Sequence, residues 1–412
     1  MPSSIAWLDV SAEEQRKARE FIALFTQPES RDELGIGQVR DAFSNTLFPG
    51  TSVIQTRARY FLYVPWIYLE GQRRGKSGQE LIRWTASRER RLIEVLRTAG
   101  TAAGDIEGLI GRVASERLKI LPSSIYWNGL VTFGILRNDV AAEQLGAERA
   151  RQESSESDEL TEREFSTWSP SIPKPPDGFP EQVDTAFVLR PDEARWLTER
   201  INQSPATRDS LLARIVSGHA RTVDDSFGPW DDPTGQVSDK TLRMQLKQAK
   251  LFSLGMHGAS LLYNLLVAER YVDCGYDRVP DATKRYRELI EKWAAECVDE
   301  RQRFAAWDRT VMWNLVRSIN PRIGLPTIEF VENWLLNVTS GQATNAADDP
   351  ALRDLVRKRE LRRDKQSRLQ NDKLLANWAG ESGAGRLNYR WGTVRRIVRD
   401  IHSALDLEAT HA

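Results

Sequence analysis

The chain has 412 residues, a length that predicts two or three domains rather than a single core. Its 58 basic and 58 acidic residues give a formal net charge of zero, which argues against a uniformly cationic nucleic-acid coat protein. Apolar residues make up 40% and charged residues 28%, the usual mix of a globular protein. With only two cysteines, Cys274 and Cys297, a disulfide framework and a four-ligand zinc site are excluded.

Targeting and membrane signals are weak. The first residues, MPSSIAWLDV, contain neither a basic region nor an apolar run, so we expect no secretory signal. The longest aromatic and apolar run, Tyr60 to Leu69, has half of the roughly 20 residues that a membrane span needs, and it contains Pro65. These features predict a cytoplasmic protein that does not enter a membrane.

Helical periodicity dominates the first hundred residues. Ser11 to Glu14 reads as a capping box and is followed by an amphipathic helix. Residues 37–48 predict a second helix that ends at Pro49-Gly50. The run from Ser52 to Tyr68 predicts one helix bent at its proline, and residues 79–98 predict a charged amphipathic helix.

Two short segments resemble a DNA-reading element. Ile106 to Val113 predicts a short helix, and a helix within Leu121 to Arg137 would begin at Pro122. A short helix, a turn and a second helix form the helix-turn-helix of many DNA-binding proteins, winged-helix forms included. The plain alternative is a helical hairpin inside an all-α core, which we consider the commoner explanation.

The region 138–184 differs from the rest of the chain. It contains twelve acidic residues and only four basic ones, and it ends in the proline-rich run SPSIPKPPDGFP. Proline at this density excludes a helix or a central strand. We expect a domain boundary here; the alternative is an acidic loop that shields a basic groove.

The remainder of the chain predicts further helices and no alternating strands. A helix begins at Pro191, amphipathic or apolar patterns cover residues 209–216, 251–270, 286–297, 304–315 and 329–338, and a last helix follows Leu387. We therefore predict a mainly α, multi-helical protein with two or three subdomains. The predicted division is an N-terminal helical domain (1–138), an acidic linker or loop (139–185), a central helical domain (186–345) and a basic C-terminal region (346–412).

Two regions concentrate positive charge. Residues 57–97 contain ten basic and four acidic residues, and residues 353–399 contain fourteen basic and five acidic residues. Clustered arginines neutralise phosphates and give strong, salt-dependent nucleic-acid binding. The alternative is a pair of solvated helix faces with ion pairs one turn apart, which RKRELRRDK at 357–365 allows.

We nominate twelve residues of these regions for nucleic-acid contact. In the last helix an apolar stripe from Trp391 to Leu405 predicts one buried face and an arginine-bearing outer face. Arg59 and also Arg57 could instead be buried arginines that pair with acids such as Asp32 or Asp41, and for Arg59 we favour burial. The nominated residues are Arg57, Arg73, Arg74, Lys76, Arg88, Arg91, Arg362, Arg363, Arg390, Arg395, Arg396 and Arg399.

Signals for catalysis are poor. Asp224, Asp225, Asp231 and Asp232 could gather around a hard cation such as Mg²⁺, but aspartate also favours turns. The glycine-rich loop at 380–386 lacks the lysine and hydroxyl spacing of a P-loop. The four histidines are scattered, and no nucleophile-base set can be assembled. We therefore predict a protein without catalysis, cofactor or metal, and keep a metal-dependent phosphodiester enzyme as a second alternative.

Several motifs together resemble a known family. They are SIAWLD at Ser4, RDELGIGQVRDAF at Arg31, LFPGTSVIQTRARYFLYVPWIY at Leu47, LPSSIYWNGL at Leu121 and LNYRWGTVRRIVRDI at Leu387. The chain resembles an uncharacterised bacterial domain of unknown function of similar length. This resemblance implies genes near helicases and nucleases in phage-defence clusters, and it implies no catalytic residue.

The function that we expect is that of a nucleic-acid-binding accessory protein of a bacterial anti-phage defence or DNA-processing system. Its partners would be nucleic acid, most simply DNA, and a helicase or nuclease encoded nearby. The first alternative is a scaffold that binds only proteins, with its arginines pairing with acidic surfaces of a helicase or nuclease.

Overall fold

The computed structural model describes residues 32–112, 118–137 and 167–411. Fourteen α-helices account for most of this part of the chain, and its sole β feature is an isolated bridge between Leu136 and Trp168. The prediction of a mainly α protein is confirmed. The predicted first helix after Ser11 and the acidic residues 138–166 lie outside the described residues.

The α-helices are short to medium in length, apart from α3 and α7. They are α1 Gly37–Leu47, α2 Tyr60–Arg73, α3 Gly78–Ala103, α4 Pro122–Thr132, α5 Pro191–Gln203, α6 Leu211–Val216, α7 Lys240–Asp273, α8 Ala282–Asp299, α9 Arg301–Ala305, α10 Arg309–Ile319, α11 Leu325–Thr339, α12 Pro350–Leu361, α13 Asp372–Ala376 and α14 Trp391–His411. Four 3₁₀ turns at Pro229–Asp231, Pro233–Gly235, Gln342–Asn345 and Asp364–Gln366 complete the regular structure of the described residues.

The chain forms two compact units, each assembled from segments that lie far apart in the sequence. Within the described residues, the first unit comprises residues 32–43 and 247–387, and the second comprises those of residues 44–246 and 388–411. The domains predicted from the sequence, by contrast, each consist of one continuous segment. Helical periodicity identifies which face of a helix is buried, but it carries no information about which distant segment covers that face.

Helix α2 is the central element of the second unit. Every residue from Tyr60 to Tyr68 is buried, and Pro65 is accommodated inside the helix. The predicted start at Ser52 is wrong, because residues 51–59 form turns and the helix begins at Tyr60. The turn is stabilised by side chains: the Gln55 amide donates to the Gly50 carbonyl at 3.1 Å, and the Asp400 carboxylate accepts from the Ala58 amide at 2.8 Å.

The proline-rich segment after Thr167 packs against α2. The indole of Trp66 donates to the Pro173 carbonyl at 2.7 Å, and Phe179 stacks on Tyr63 with ring centroids 5.8 Å apart. Trp168 is buried and contacts the Tyr68 ring. The described end of the predicted linker is therefore an irregular covering layer of the second unit rather than a free connection.

The predicted helix-turn-helix element is not confirmed. Residues 106–112 form turns, in which Gly108 and Gly111 adopt φ values of +84° and +81°, so the first helix of the motif does not form. Helix α4 does form, but it buries Ile125, Tyr126 and Leu130, and it carries no basic residue. This helix is mostly core, and it lacks the arginine and lysine side chains that make the commonest base contacts in the major groove.

The first unit is organised around the part of α7 that follows residue 246. The predicted stripe on α8 is confirmed, with Tyr286, Ile290, Trp293 and Cys297 buried. The Trp293 indole donates to the Leu254 carbonyl at 2.8 Å. Close packing is possible there because position 258 is glycine: a Cβ atom at Gly258 would lie 2.3 Å from the Trp293 ring.

Helix α7 also meets the length and hydropathy criteria of a membrane span. Its most apolar window has a mean hydropathy of 1.4, yet 89% of that window is buried inside the protein. A core helix of a soluble protein passes the same test, so the finding is weak evidence for a membrane segment.

We predict that Gly258→Ala destabilises the protein by about 1–3 kcal/mol, because the added methyl group overlaps the Trp293 ring. The control is Gly392→Ala at the start of α14, where nothing lies within 4 Å of the new methyl group. There alanine should be neutral or stabilise the helix by up to about 1 kcal/mol. Urea unfolding of both variants tests this, and equal effects would contradict the close packing of α7 on α8.

Candidate functional site

Arg57 lies in the interior of the second unit. Its guanidinium contacts Asp105 at 2.7 Å and Asp400 at 3.0 Å, and it donates to the Glu107 carbonyl at 3.0 Å. Burial alone would lower the pKa of Arg57, but hydrogen bonds and charges from Asp105 and Asp400 outweigh it and raise the pKa. All of the guanidinium donors of Arg57 are thus used inside the protein. Arg57 is therefore not part of the basic surface described below.

Arg59 is a fully buried, paired arginine, as expected. Its guanidinium lies 3.2 Å from Glu193 and 2.9 Å from Asp184. Burial works to lower the pKa of Arg59, whereas the surrounding Tyr63, Glu193 and Asp184 side chains raise it. The suggested partners Asp32 and Asp41 are wrong, because the true partners lie more than a hundred residues further along the chain.

The arginines of the last helix hold a loop of their own unit. Arg395 donates to the carbonyl oxygens of Val223 at 3.0 Å and Ser226 at 3.1 Å, and also to that of Asp224. Arg399 lies 2.5 Å from the Asp224 carboxylate. Both residues therefore stabilise the turn that begins at Val223, so a loss of function on their substitution would not by itself indicate contact with a ligand.

Two further nominated arginines, Arg396 and Arg390, also have partners within the second unit. Arg396 pairs with Glu107 at 3.0 Å. Arg390 has a φ of +69° and donates to the Asn45 side chain at 2.8 Å and to the Thr51 carbonyl at 2.6 Å. Arg390 thus contributes to the structure of the turn that starts α14.

In the first unit, Arg363 joins a buried polar cluster. It pairs with Glu33, which also accepts from Arg368 and, at 2.6 Å, from the Ser382 hydroxyl. Burial acts to raise the pKa of Glu33, but these donors and the two guanidinium charges lower it overall. Glu33 is therefore a compensated carboxylate, and the cluster is a structural element of the first unit.

The four aspartates considered for a metal build a turn. The buried Asp232 carboxylate accepts from the Val223 amide at 3.0 Å, the Ser226 hydroxyl at 2.8 Å, and the Thr234 amide and hydroxyl at 3.0 and 2.6 Å. Asp224 is engaged by Arg399. In the described parts of the chain no group of three or more histidine, cysteine or acidic side chains is placed to hold a metal. These acids give the metal-dependent alternative no structural support.

A basic surface remains on α3 and on the turn that precedes it. Helical periodicity places Arg83, Ser87 and Arg91 on one exposed stripe of α3, while Leu81, Leu92 and Leu96 on the opposite face are buried. We define the α3 basic surface as the exposed or half-exposed cations between the end of α2 and the middle of α3: Arg73, Arg74, Lys76, Arg83, Arg88, Arg90 and Arg91.

The cations of the α3 basic surface fall into two groups. Three are paired with acids: Arg74 with Glu70, Lys76 with Glu80, and Arg88 with Glu181. The other four, Arg73, Arg83, Arg90 and Arg91, form no ion pair within the described residues, although the charges of Arg83 and Arg90 act to lower the pKa values of Glu80 and Glu89. Exposed or half-exposed guanidinium groups that form no ion pair are available to an anionic ligand.

An aromatic ring orders part of this surface. The guanidinium carbons of Arg88 and Arg74 lie 5.1 Å and 5.8 Å from the ring centroid of Trp84. Trp84 itself rests against α2, because position 71 is glycine and a Cβ atom there would lie 2.9 Å from its ring. The indole therefore restrains two arginine side chains and lowers the entropy that they would lose on binding.

The first unit has a smaller basic surface on α12 and the turn after it. Arg357, Arg362 and Lys365 are exposed, and none of them has a carboxylate partner in the described residues. Their neighbour Arg359 has a structural role instead, since it donates to the Leu34 and Gly35 carbonyls. Of the two nominated residues on this segment, Arg362 is exposed, and Arg363 is paired with Glu33 as described above.

The nomination from sequence omitted Arg83, Arg90, Arg357 and Lys365. The helical periodicity of the sequence is sufficient to identify Arg83, because Arg83 lies about two turns before Arg91 on the face opposite the buried leucines of α3. No sequence signal could show that Arg90 lacks an acidic partner, since partners come from distant segments, as Glu181 does for Arg88.

The comparisons with known proteins give one result. A family model described as "Family of unknown function (DUF6361)" matches residues 2–404. The chain belongs to this family. The expectation of an uncharacterised family that covers nearly the whole chain is thus confirmed, and the family's description assigns no activity. Searches of the curated proteins and of the solved structures found no match.

A titratable carboxyl lies on the inner face of α3. Glu89 is 1% exposed; one of its oxygens accepts from the Ser123 hydroxyl at 3.1 Å, and the other has no hydrogen-bond partner. Burial raises the pKa of Glu89 to about 7, against the lowering effect of Ser123 and of the Arg90 charge. The folded state therefore binds a proton here over a pH range in which the unfolded chain has released it.

This raised pKa predicts the sign of a pH effect. Stability falls as pH rises between the unfolded value, 4.5, and about 7, because the unfolded chain gains free energy by ionising this carboxyl while the folded state keeps it protonated. Glu89→Gln cannot ionise, so it should exceed the wild type in unfolding free energy by up to about 3 kcal/mol at pH 8 and differ little at pH 4. Glu94→Gln, on the outer side of the same helix, is the control. A pH-independent difference for Glu89→Gln would contradict the assignment.

Proposed function

We propose that this protein is a non-catalytic, nucleic-acid-binding accessory protein that contacts the phosphate backbone through the α3 basic surface. The observation that carries the proposal is that the exposed Arg73, Arg83 and Arg91 and the half-exposed Arg90 form no ion pair in the described residues. By contrast, the nominated arginines of the last helix are engaged within the protein.

The geometry of α3 suits a linear polyanion. Arg83 and Arg91 are eight residues apart on one face, which separates them by about 12 Å along the helix axis. Arginine forms bidentate, charge-assisted hydrogen bonds with phosphate oxygens. Contacts of this kind fix position and affinity but do not read bases, so the proposed binding is insensitive to sequence and sensitive to salt.

The exposed cations of the first unit, Arg357, Arg362 and Lys365, provide a second phosphate-binding surface in this proposal. The family resemblance supports the setting that we propose, a cytoplasmic bacterial anti-phage defence or DNA-processing system with a helicase or nuclease as neighbour. DNA is the ligand that this setting favours. An acidic face of a partner protein is the alternative ligand for the same arginines, and the experiment below distinguishes the two.

We predict that the double variant Arg83→Glu/Arg91→Glu binds a short DNA duplex roughly a hundredfold more weakly than the wild type at low salt, because two charge-assisted contacts become repulsive. Both positions are exposed and without acidic partners in the described residues, so the thermal midpoint should stay within a few degrees of the wild type. Fluorescence anisotropy with labelled duplex and single-stranded DNA measures the loss.

The matched control is Arg208→Glu/Lys240→Glu, which changes the net charge equally at exposed positions outside the α3 basic surface. It should retain affinity within about threefold, the difference expected from long-range electrostatics alone. Equal losses in the two double variants would show a non-specific charge effect. A wild type that binds neither form of DNA at low salt would refute the proposal and favour an acidic protein partner.

A further inference from the structure

A small cavity opens in the second unit beside the end of α6. Its volume is about 190 Å³, and it lies between the turn that follows α6 and the 3₁₀ turn at Pro233–Gly235. The residues that line it are Arg214, Ile215, Gly218, His219, Ala220, Pro233, Thr234, Gln236 and Val237. None of the proposed contacts of the α3 basic surface involves these residues.

Both walls of the cavity are fixed by side chains that lie outside it. Arg221 donates to the His219 carbonyl at 2.8 Å and to the Gly218 carbonyl at 3.3 Å, and it is held by Asp406 at 2.5 Å. On the other wall the Asp232 carboxylate binds the amide and the hydroxyl of Thr234. The cavity is therefore preformed, which reduces the entropy lost when a ligand binds.

The lining includes one basic residue that forms no ion pair among the described residues, the exposed Arg214. His219 and Gln236, which also line the cavity, carry side chains that can form further hydrogen bonds. No aspartate or glutamate lines the cavity. The carboxylate of Asp232, behind Thr234, is already satisfied by four donors. A guanidinium that forms no ion pair, beside side chains that can donate hydrogen bonds, favours an oxyanion.

The volume limits the size of that anion. Pockets for drug-sized ligands have volumes of roughly 300–1,000 Å³, so 190 Å³ takes a single tetrahedral group better than a whole nucleotide. We propose that this cavity is a phosphate-group site in which Arg214 supplies the charge and His219 and Gln236 supply hydrogen bonds. The phosphate is either free, as inorganic phosphate or a small monoester, or it is the terminal phosphate of a nucleic-acid strand.

Isothermal titration of the full-length protein with inorganic phosphate tests the site. The wild type should bind phosphate, and Arg214→Ala should weaken binding at least tenfold, the effect of one lost charge-assisted hydrogen bond. Arg208→Ala removes an exposed arginine that does not line the cavity, and its affinity should stay within twofold of the wild type. Gln236→Ala, a smaller change at the same site, should weaken binding several-fold.

The source of the phosphate is determined with two oligonucleotides of one sequence, one with a 5′-phosphate and one with a 5′-hydroxyl. A preference for the phosphorylated strand that disappears in Arg214→Ala assigns the site to strand ends, and phosphate binding without such a preference assigns it to small phosphates. Because these readouts do not involve Arg83 or Arg91, the α3 variants should keep phosphate binding. The inference is overturned if the wild type binds neither probe, or if Arg214→Ala and Arg208→Ala bind equally well.

Discussion

The second unit is built around two guanidinium groups that are removed from solvent. Arg57 connects the turn before α2 to Asp105 and to Asp400 of α14, a residue 343 positions away. Arg59 connects the same turn to Glu193 at the start of α5 and to Asp184 in the proline-rich segment. Removing a charge from water costs several kcal/mol, and removing one partner of such a pair leaves the other uncompensated. These pairs therefore require that α5, α14 and the proline-rich segment meet at the N-terminal end of α2.

This requirement divides the arginines of the protein by role. Those on buried faces or at loops have carboxylate or carbonyl partners: Arg57 and Arg59 at α2, Arg395 at the Val223 turn, and Arg363 at Glu33. Arg83 and Arg91 on the outer stripe of α3 form no ion pair in the part of the chain that the structure describes, and Arg83 donates only to the Gln79 carbonyl of its own helix. The number of arginines alone therefore says little about ligand binding. Only arginines that form no ion pair within the protein are available to a ligand.

The sequence predicts local structure better than it predicts the site. Residues 79–98 give α3 because their apolar positions recur at helical spacing, and the buried stripes of α8 and α14 follow from the same rule. The turn before Tyr60 and the turns at 106–112 were missed, because tertiary contacts and glycines with positive φ override helical propensity there. The prediction of site residues is limited for a different reason. Arg395 and Arg91 both lie on the outer face of an amphipathic helix, and only a distant residue, Val223, which accepts a hydrogen bond from Arg395, distinguishes them.

The salt dependence of DNA binding by the wild type tests the central claim most directly. If Arg73, Arg83, Arg90 and Arg91 of the α3 basic surface neutralise phosphates, the logarithm of the association constant should fall linearly with the logarithm of salt concentration. The slope on a duplex should be about −3 to −4 from these four contacts, and steeper where the cations of the first unit also bind. Anisotropy titrations across roughly 50 to 200 mM salt would give this slope. Binding with a slope near zero, or no binding at the lowest salt, would contradict the account.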